Sequence, residues 1–430
     1  MRIIDYCTDE GSRLIAKVLS RSQLAYGDVQ QRVDEIIANV KGQGDKALIA
    51  YTVRFDGVEL TPDSLQVTQD EIKEAYAAVD EKLLSVIRRS AERIKAFHAR
   101  QKLNSWTEYG SNGEILGQMI RPVASAGVYV PGGKAAYPSS VLMNVIPAKI
   151  AGVHNIIMST PMQKNGKVYP ATIAAAIEAG VDQIYKIGGA QAIAAMAFGT
   201  ETVPKVDKIV GPGNIYVALA KRSVYGYVNI DSVAGPSEIL VIADETANPR
   251  YVAADLLSQA EHDELASAVL ITTSQALAQA VLAEIEKQTA LLSRKEMIQK
   301  SLDNYGAIVV TKTLEQAADL SNQIAPEHLE LCVAEPFALL TRIQNAGAVF
   351  LGHYSPEPLG DYMAGPNHVL PTGGTARFFS PLSIDDFIKK SSIISFGRDA
   401  LCRLSQDIID FAEAEGLTAH ANAIRVRFDE

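Results

Sequence analysis

Two kinds of hydrophobic spacing divide the chain. Up to about residue 100, apolar residues recur at intervals of three and four, as in VQQRVDEIIANV and in the run after Thr68. This is the spacing of helices with one buried face. Asp28 can cap the first run, and Thr68 with the acidic turn DEIKE starts an amphipathic stretch reaching about Arg100. From about residue 126 the pattern changes. Short β-rich runs, AGVYV (126–130), NIIMS (155–159), QIYKI (183–187) and KIVG (208–211), alternate with alanine-rich helical segments such as ATIAAAIEAG. EILVIA (238–243), AVLITT (268–273), AIVVT (307–311) and AVFL (348–351) repeat the alternation, and LELCV after His328 also reads as a strand. Such alternation is the signature of βαβ units and parallel sheets.

The expected fold class is therefore α/β, with two doubly wound, Rossmann-like but incomplete parallel-sheet domains and small helical terminal pieces. The expected divisions are an N-terminal helical piece (1–25), a first α/β domain (26–128 plus 236–380), a second, nucleotide-binding-like domain (129–235), and a helical tail (381–430). In that tail Ser383 and Asp386 resemble a capping box opening a helix DDFIKK. The tail is too short to hold a core alone, so it is expected to dock elsewhere, including on a partner subunit.

Composition narrows the chemistry. With 430 residues and a formal net charge of -10, the chain is long enough for several cores and has no general attraction for nucleic acid or an anionic membrane. The N-terminus shows no apolar signal core, and no run approaches the roughly 18 apolar residues of a membrane helix. The three cysteines, Cys7, Cys332 and Cys402, form no disulfide framework or thiolate cage. The expected setting is the cytoplasm, and any metal must take mainly nitrogen and oxygen ligands.

Several segments can carry chemistry. Gly211-Pro-Gly213-Asn214 follows a strand and opens a helix, with Asp231 twenty residues on. This is either a dinucleotide loop lacking its third glycine or a tight turn capped by Asn214. Tyr129 precedes the loop PGGK (131–134), and Gln191 follows Gly188-Gly189. Three glycine-bearing loops at strand ends together suggest a ligand edge. Gln259 and His262 share one helix face at a spacing of three, as half of a metal site or as a solvated helix end. Glu327 and His328, set in a turn by Pro326, are two groups able to move protons near neutral pH. The long loop from Gly360 carries Asp361 and His368, either as ligand contacts or as a surface connection. Glu415 and His420 flank Gly416, Ser237 opens a strand, and Cys332 offers a nucleophilic thiol or a small core residue.

Taken together, GVYVPGG, GPGN, IDSVAGPSE, QAEHD, APEHLEL and GDYMAGPNHVLPTGGTARF resemble the histidinol dehydrogenase family, in order and across residues 127–378. The resemblance implies zinc-dependent homodimers that oxidise L-histidinol to L-histidine through a bound aldehyde, with two hydride transfers to NAD. It implies zinc ligands at Gln259, His262, Asp361 and His420, proton handling at Glu327 and His328, and NAD contacts at Tyr129, Gln191 and Asn214. Substrate contacts fall at Ser237, His368 and Glu415, with Gln259, His262, His328, Asp361 and His420 also beside the substrate. It assigns no role to Asp231. Two other readings remain: a cysteine-dependent aldehyde dehydrogenase using Cys332, and a zinc hydrolase or lyase on an α/β scaffold.

Overall fold

The structure, a computed structural model, describes residues 1–6, 27–132 and 136–429. Cys7, Gly133, Lys134 and most of the expected N-terminal helical piece lie outside the described residues. The chain divides into a large unit, residues 1–101 with 123–387, and a small one, residues 102–122 with 388–430.

The large unit holds two parallel sheets. The strands are β1 (Arg2–Asp5), β4 (Ser125–Tyr129), β5 (Asn155–Ser159), β6 (Gln183–Tyr185), β7 (Lys208–Val210), β8 (Asn229–Ile230), β9 (Glu238–Ala243), β10 (Ser267–Thr272), β11 (Gly306–Val310), β12 (His328–Cys332) and β13 (Ala348–Leu351). The small unit adds β2 (Trp106–Tyr109), β3 (Ile115–Pro122) and β14 (Ile388–Ser395). The five-stranded sheet has the order β6-β5-β4-β7-β8, and the six-stranded sheet β1-β11-β10-β9-β12-β13. Set aside β1 and the two orders are the same. Each winds outward one way from its first strand and then back across, leaving a switch point between β4 and β7 and another between β9 and β12.

Both sheets are covered on both faces by helices, which is why their strands read as continuous apolar runs instead of alternating ones. Val128, Val141 and Ile156 belong to the core on one face of the five-stranded sheet, Ile157, Ile193 and Ile209 to the core on the other. Period-two alternation sorts the six-stranded sheet likewise: Ile239, Val241 and Cys332 lie in one core, Leu240, Ile242, Leu329 and Leu331 in the other. Each fully buried aliphatic side chain contributes about 1.5–3 kcal/mol.

The structure departs from the sequence reading in four places. The helices within Gly27–His98, grouped above with residues 236–380, place Val33, Ile36, Leu48, Ile87 and Ile94 in the two cores of the five-stranded sheet. The first residues form β1, not a helix, paired parallel with β11 from Arg2↔Ala307 to Asp5↔Val310. The stretch after Thr68 is two helices, Gln69–Ala78 and Glu81–His98; Thr68 and Glu71 do form a capping box, and Asp80 caps the second helix. Finally, Ser383 and Asp386 cap only a single 3-10 turn, Ile384–Phe387, and IKKSSIIS continues as β14. Its β-branched residues pair antiparallel with β3, from Ile388↔Pro122 to Ser395↔Ile115. The small unit is thus a three-stranded antiparallel sheet with the helices Arg398–Ala414 and Thr418–Arg425, whose own core is Ile409, Ala412 and Ala421.

The switch point of the five-stranded sheet is built tightly. The Gly211 N–H donates to Asp231 Oδ2 at 2.8 Å, and Lys221 Nζ donates to the Gly211 carbonyl at 3.0 Å. Lys221 and Asp231 also form a buried ion pair. Asp231, which looked like the acid of a dinucleotide fingerprint, therefore braces the loop. Gly211 has φ of 115°, and a Cβ there would collide with the Tyr129 carbonyl oxygen. Gly211→Ala should lower stability by roughly 1–3 kcal/mol from backbone strain alone, read as a reduced melting temperature.

Candidate active site

Three of the expected residues meet at the carboxyl edge of the five-stranded sheet. Tyr129 ends β4, and its buried hydroxyl accepts from the Gly189 N–H at 3.1 Å. Gln191 is almost fully buried in the helix Gly189–Phe198, and its Oε1 receives no hydrogen bond. Asn214 caps the helix Ile215–Val224 by accepting from the N–H groups of Tyr216 and Val217 through Oδ1. The capped-turn reading and a ligand loop are therefore compatible at this position. Burial pushes the Tyr129 phenol up to about 12, so it stays protonated.

The second cluster lies at the opposite, amino edge of the six-stranded sheet, where β9 and β12 begin side by side with His328 against Ile239. His328 Nδ1 donates to the Glu238 carbonyl at 2.9 Å. That bond fixes the tautomer and leaves Nε2 as the acceptor. Glu327 Oε2 accepts from the Glu238 N–H at 2.9 Å, and the Glu327 N–H donates to Glu238 Oε2 at 3.2 Å. Glu238 Oε1 accepts in turn from the Gly373 N–H at 3.0 Å.

The remaining groups arrive from helices. The helix Pro249–Ala260 runs back along the sheet to this edge, and Gln259 Nε2 lies 3.4 Å from His328 Nδ1. The short helix Glu357–Tyr362 brings Glu357 Oε1 within 3.7 Å of His328 Nε2 and carries Asp361 one turn later. Asp361 Oδ1 lies 3.4 Å from His368 Nδ1. A cavity of about 530 Å³ opens onto His328, Asp361 and His368.

The loop behind Asp361, which the sequence left open as a surface connection, is anchored. Ser90 Oγ donates to the Tyr362 carbonyl at 2.6 Å, Asn367 Nδ2 donates to the Met143 carbonyl at 2.6 Å, and Lys208 pairs with Asp386 at 3.2 Å.

Burial sets the proton affinities. It pushes His328 down to about 4 against the pull of Asp361, so the imidazole is neutral at pH 7 and its contacts with Glu327 and Glu357 are not ion pairs. Burial, then the Glu238 carboxylate, pushes Glu327 well above the usual carboxyl range. Burial and Asp361 push Glu357 up to about 8. Burial raises Asp361 too, but His368, His328 and the hydrogen bond from Glu357 outweigh it and hold Asp361 below its ordinary value. Burial, with Glu330 and Asp255 beside it, raises the Cys332 thiol far out of the nucleophilic range. The thiol reading of Cys332 loses its physical basis.

The donor set suits a divalent cation. Ligand atoms of His328, Glu357 and Asp361 lie within 4.8 Å of one another. Gln259 Oε1 is buried without a donor, an acceptor aimed at nothing in the protein. His262 is exposed at the helix end, close enough for its charge to act on His328. Ser237 immediately precedes Glu238 and β9 and is half-buried. Glu415 and His420 are exposed residues of the small unit. Sequence reasoning missed Glu238, Glu330, Glu357 and Asp255. The available signals were a glutamate inside the apolar runs EILVIA and LELCV, and the one-turn spacing of Glu357 and Asp361.

A two-sheet α/β scaffold with a cavity over buried acid–base groups is the arrangement of an enzyme, and the class of its relatives is the oxidoreductases. The model of the histidinol dehydrogenase family matches residues 19–428. The chain is 54% identical over 430 residues to the histidinol dehydrogenase of Syntrophotalea carbinolica, covering 100% of both. It is 58% identical over 404 residues to that of Halalkalibacterium halodurans, covering 94% of this chain and 95% of the relative. The crystal structure of histidinol dehydrogenase from Elizabethkingia anophelis superposes with a TM-score of 0.94 at 42% identity, over 99% of this chain and 98% of that one. This chain belongs to the histidinol dehydrogenase family.

A raised carboxyl binds its proton more tightly folded than unfolded. Its stabilising contribution is complete below the ordinary carboxyl range and is lost as pH rises through its folded value. For Glu357 that value is about 8. Metal-stripped protein should therefore lose thermal stability progressively from about pH 4.5 to about pH 8, and Glu357→Gln should flatten that slope.

Proposed function

We propose that this protein oxidises L-histidinol to L-histidine through a bound aldehyde, in two hydride transfers to NAD, as a zinc-dependent cytoplasmic homodimer. The observation that carries the reading is the neutral His328, held by the Glu238 carbonyl so that its basic Nε2 stands beside Asp361 and Glu357 at the cavity. Tyr129, Gln191 and Asn214 are the NAD contacts. NAD supplies the hydride acceptor; the unpartnered Gln191 Oε1 is suited to a donor group of such a ligand. Gln259, His262, Asp361 and His420 would hold zinc, which supplies an anchor for the imidazole and amine nitrogens of the substrate. Ser237, His368 and Glu415 complete the substrate contacts.

In the first half, His328 Nε2 takes the alcohol proton as the C–H electron pair leaves as hydride, giving the aldehyde. In the second, the Glu327 carboxylate takes a proton from the water that attacks the aldehyde carbon while His328 Nε2 returns its proton to the carbonyl oxygen, giving the hydrate and a neutral imidazole. His328 Nε2 then takes a hydroxyl proton as the second hydride leaves, and the acid results. A carboxyl raised from its usual range is a stronger base than an ordinary glutamate, which suits Glu327 to water.

The dimer is supported by the small unit, which exposes Trp106, Ile394, Phe411 and Val426 although its own core is small. Among the described residues no helix is long and apolar enough to cross a membrane, and Cys332 and Cys402 are free thiols. Both are consistent with the cytoplasm.

Histidinol and NAD should give two NADH per substrate, read by absorbance, and chelation should abolish and zinc restore the rate. Cys332→Ala should leave activity intact, while Glu327→Gln should slow the aldehyde step by about 10²–10⁴. Absence of NADH overturns the reading. If His420 serves the partner's site, a heterodimer of Glu327→Gln and His420→Asn subunits regains one intact site. An inactive mixture would place His420 in its own subunit's site.

A further inference from the structure

One wall of the cavity carries an aromatic ring that the steps above do not use. Phe350 lies on β13 two residues after Ala348, the partner of His328, so it shares the sheet face of His328. The two ring centroids are 6.1 Å apart, with their planes inclined by 36°. Both residues line the cavity, and Phe350 is half-buried there. Its neighbours Val349 and Leu351 pack against the core on the other face, whereas Phe350 belongs to no core cluster.

The ring bears on Gly360, in the helix Glu357–Tyr362. A Cβ at Gly360 would stand 2.7 Å from Phe350 Cε1 and 2.8 Å from Cζ. Apart from chain neighbours and the helix's own backbone, nothing else among the described residues lies within 4 Å of that point. Gly360 has no positive φ, so its backbone does not call for glycine, and alanine is the better helix former. The missing side chain is therefore the seat of the ring. Polar contacts tether both ends of the same helix. The Glu357 N–H donates to Glu330 Oε1 at 2.8 Å, and the Tyr362 carbonyl accepts from Ser90 Oγ at 2.6 Å. With both ends held, the contact between them sets how far the helix stands off the sheet.

We propose that Phe350, seated on Gly360, is a positioning residue: its ring is the spacer that sets how far Glu357 and Asp361 stand from His328. The inference rests on the reading of that site given above. Phe350 takes no proton and supplies no ligand atom. It acts through three residues whose ligand atoms lie within 4.8 Å of one another, with His328 Nε2 3.7 Å from Glu357 Oε1. A misplacement of about 1 Å at such a cluster can cost about 10²-fold in rate. A Cβ at Gly360 pushes the ring towards His328 or bows the helix away with Asp361. A shorter side chain in place of Phe350 lets the helix settle inwards. Both changes reach the cluster.

Gly360→Ala and Phe350→Leu test the contact singly and together. Leucine ends short of the ring atoms that meet Gly360. After dialysis, Gly360→Ala should lose zinc and drop about 10²-fold in kcat, with KM for NAD unchanged because those contacts sit on the other sheet. Phe350→Leu should show a smaller loss of both. The double variant should regain zinc and stand closer to wild type than Gly360→Ala does, because the added methyl occupies room the ring has left. Two unrelated losses would add in free energy instead. Full zinc and kcat in Gly360→Ala would overturn the proposal, and so would a double variant no better than Gly360→Ala. If Gly360→Ala does not fold, Phe350→Leu decides. Reduced zinc and kcat in a folded Phe350→Leu protein support the spacer; full zinc and kcat, or an unfolded protein, overturn it. Wild-type protein that makes no NADH from histidinol refutes the activity reading, while the zinc contents of the variants still test the spacer.

Discussion

A buried carboxyl needs a proton, a cation or a hydrogen-bond donor, and at the amino ends of β9 and β12 several compete for few donors. Glu238 and Glu327 satisfy each other through their own backbone N–H groups. Glu330 takes the Glu357 N–H. What is left, the Glu357 and Asp361 carboxyls and the unpartnered Gln259 Oε1, is a surplus of acceptors around one imidazole. Burial keeps His328 neutral, and the pull of the Asp361 carboxylate towards the charged form is too weak to overcome it. The surplus also defines the space as one that a cation or a protonated substrate would enter with electrostatic gain.

The two sheets solve different problems with the same strand order. At the β4–β7 switch point the chain uses glycine and a buried Lys221–Asp231 pair, so backbone approaches backbone closely and few side chains project. At the β9–β12 switch point the active cluster lies on the reverse edge, where strands begin. Helices that follow strands run back to that edge, so Gln259, at the end of its helix, meets His328, at the start of its strand.

Most of the sheet strands were legible because strands buried on both faces leave unbroken apolar runs. β1 was not, being four residues with charges at both ends, and neither were β2, β3 and β14, whose exposed faces blur any alternation. The capping signal was read correctly at Thr68, whereas the one at Ser383 opens a single 3-10 turn and not the expected helix, because a cap states where a turn starts and not how far it runs. In the site, the Glu327–His328 dipeptide was noise until neighbouring motifs gave it context. Glu238, Glu330 and Asp255 were invisible because their partners lie far away in sequence. Glu238 meets Glu327 only once β9 and β12 are paired, and Asp255 meets Glu330 only once a helix has settled on that sheet.

The edge position of β1 has a consequence for how the chain is made. The core on one face of the five-stranded sheet, from Val33 to Val228, is made by about residue 230 and can form while synthesis continues, whereas the other face waits for Leu382 and Phe387. β1 instead pairs with β11, Ile3 against Ile308. At roughly 5–20 residues per second, the first strand waits about 15–60 s on the ribosome before its neighbour emerges. During that interval Ile3 and Ile4 have no strand to pair with, and the six-stranded sheet is complete only once β12 and β13 have followed β11.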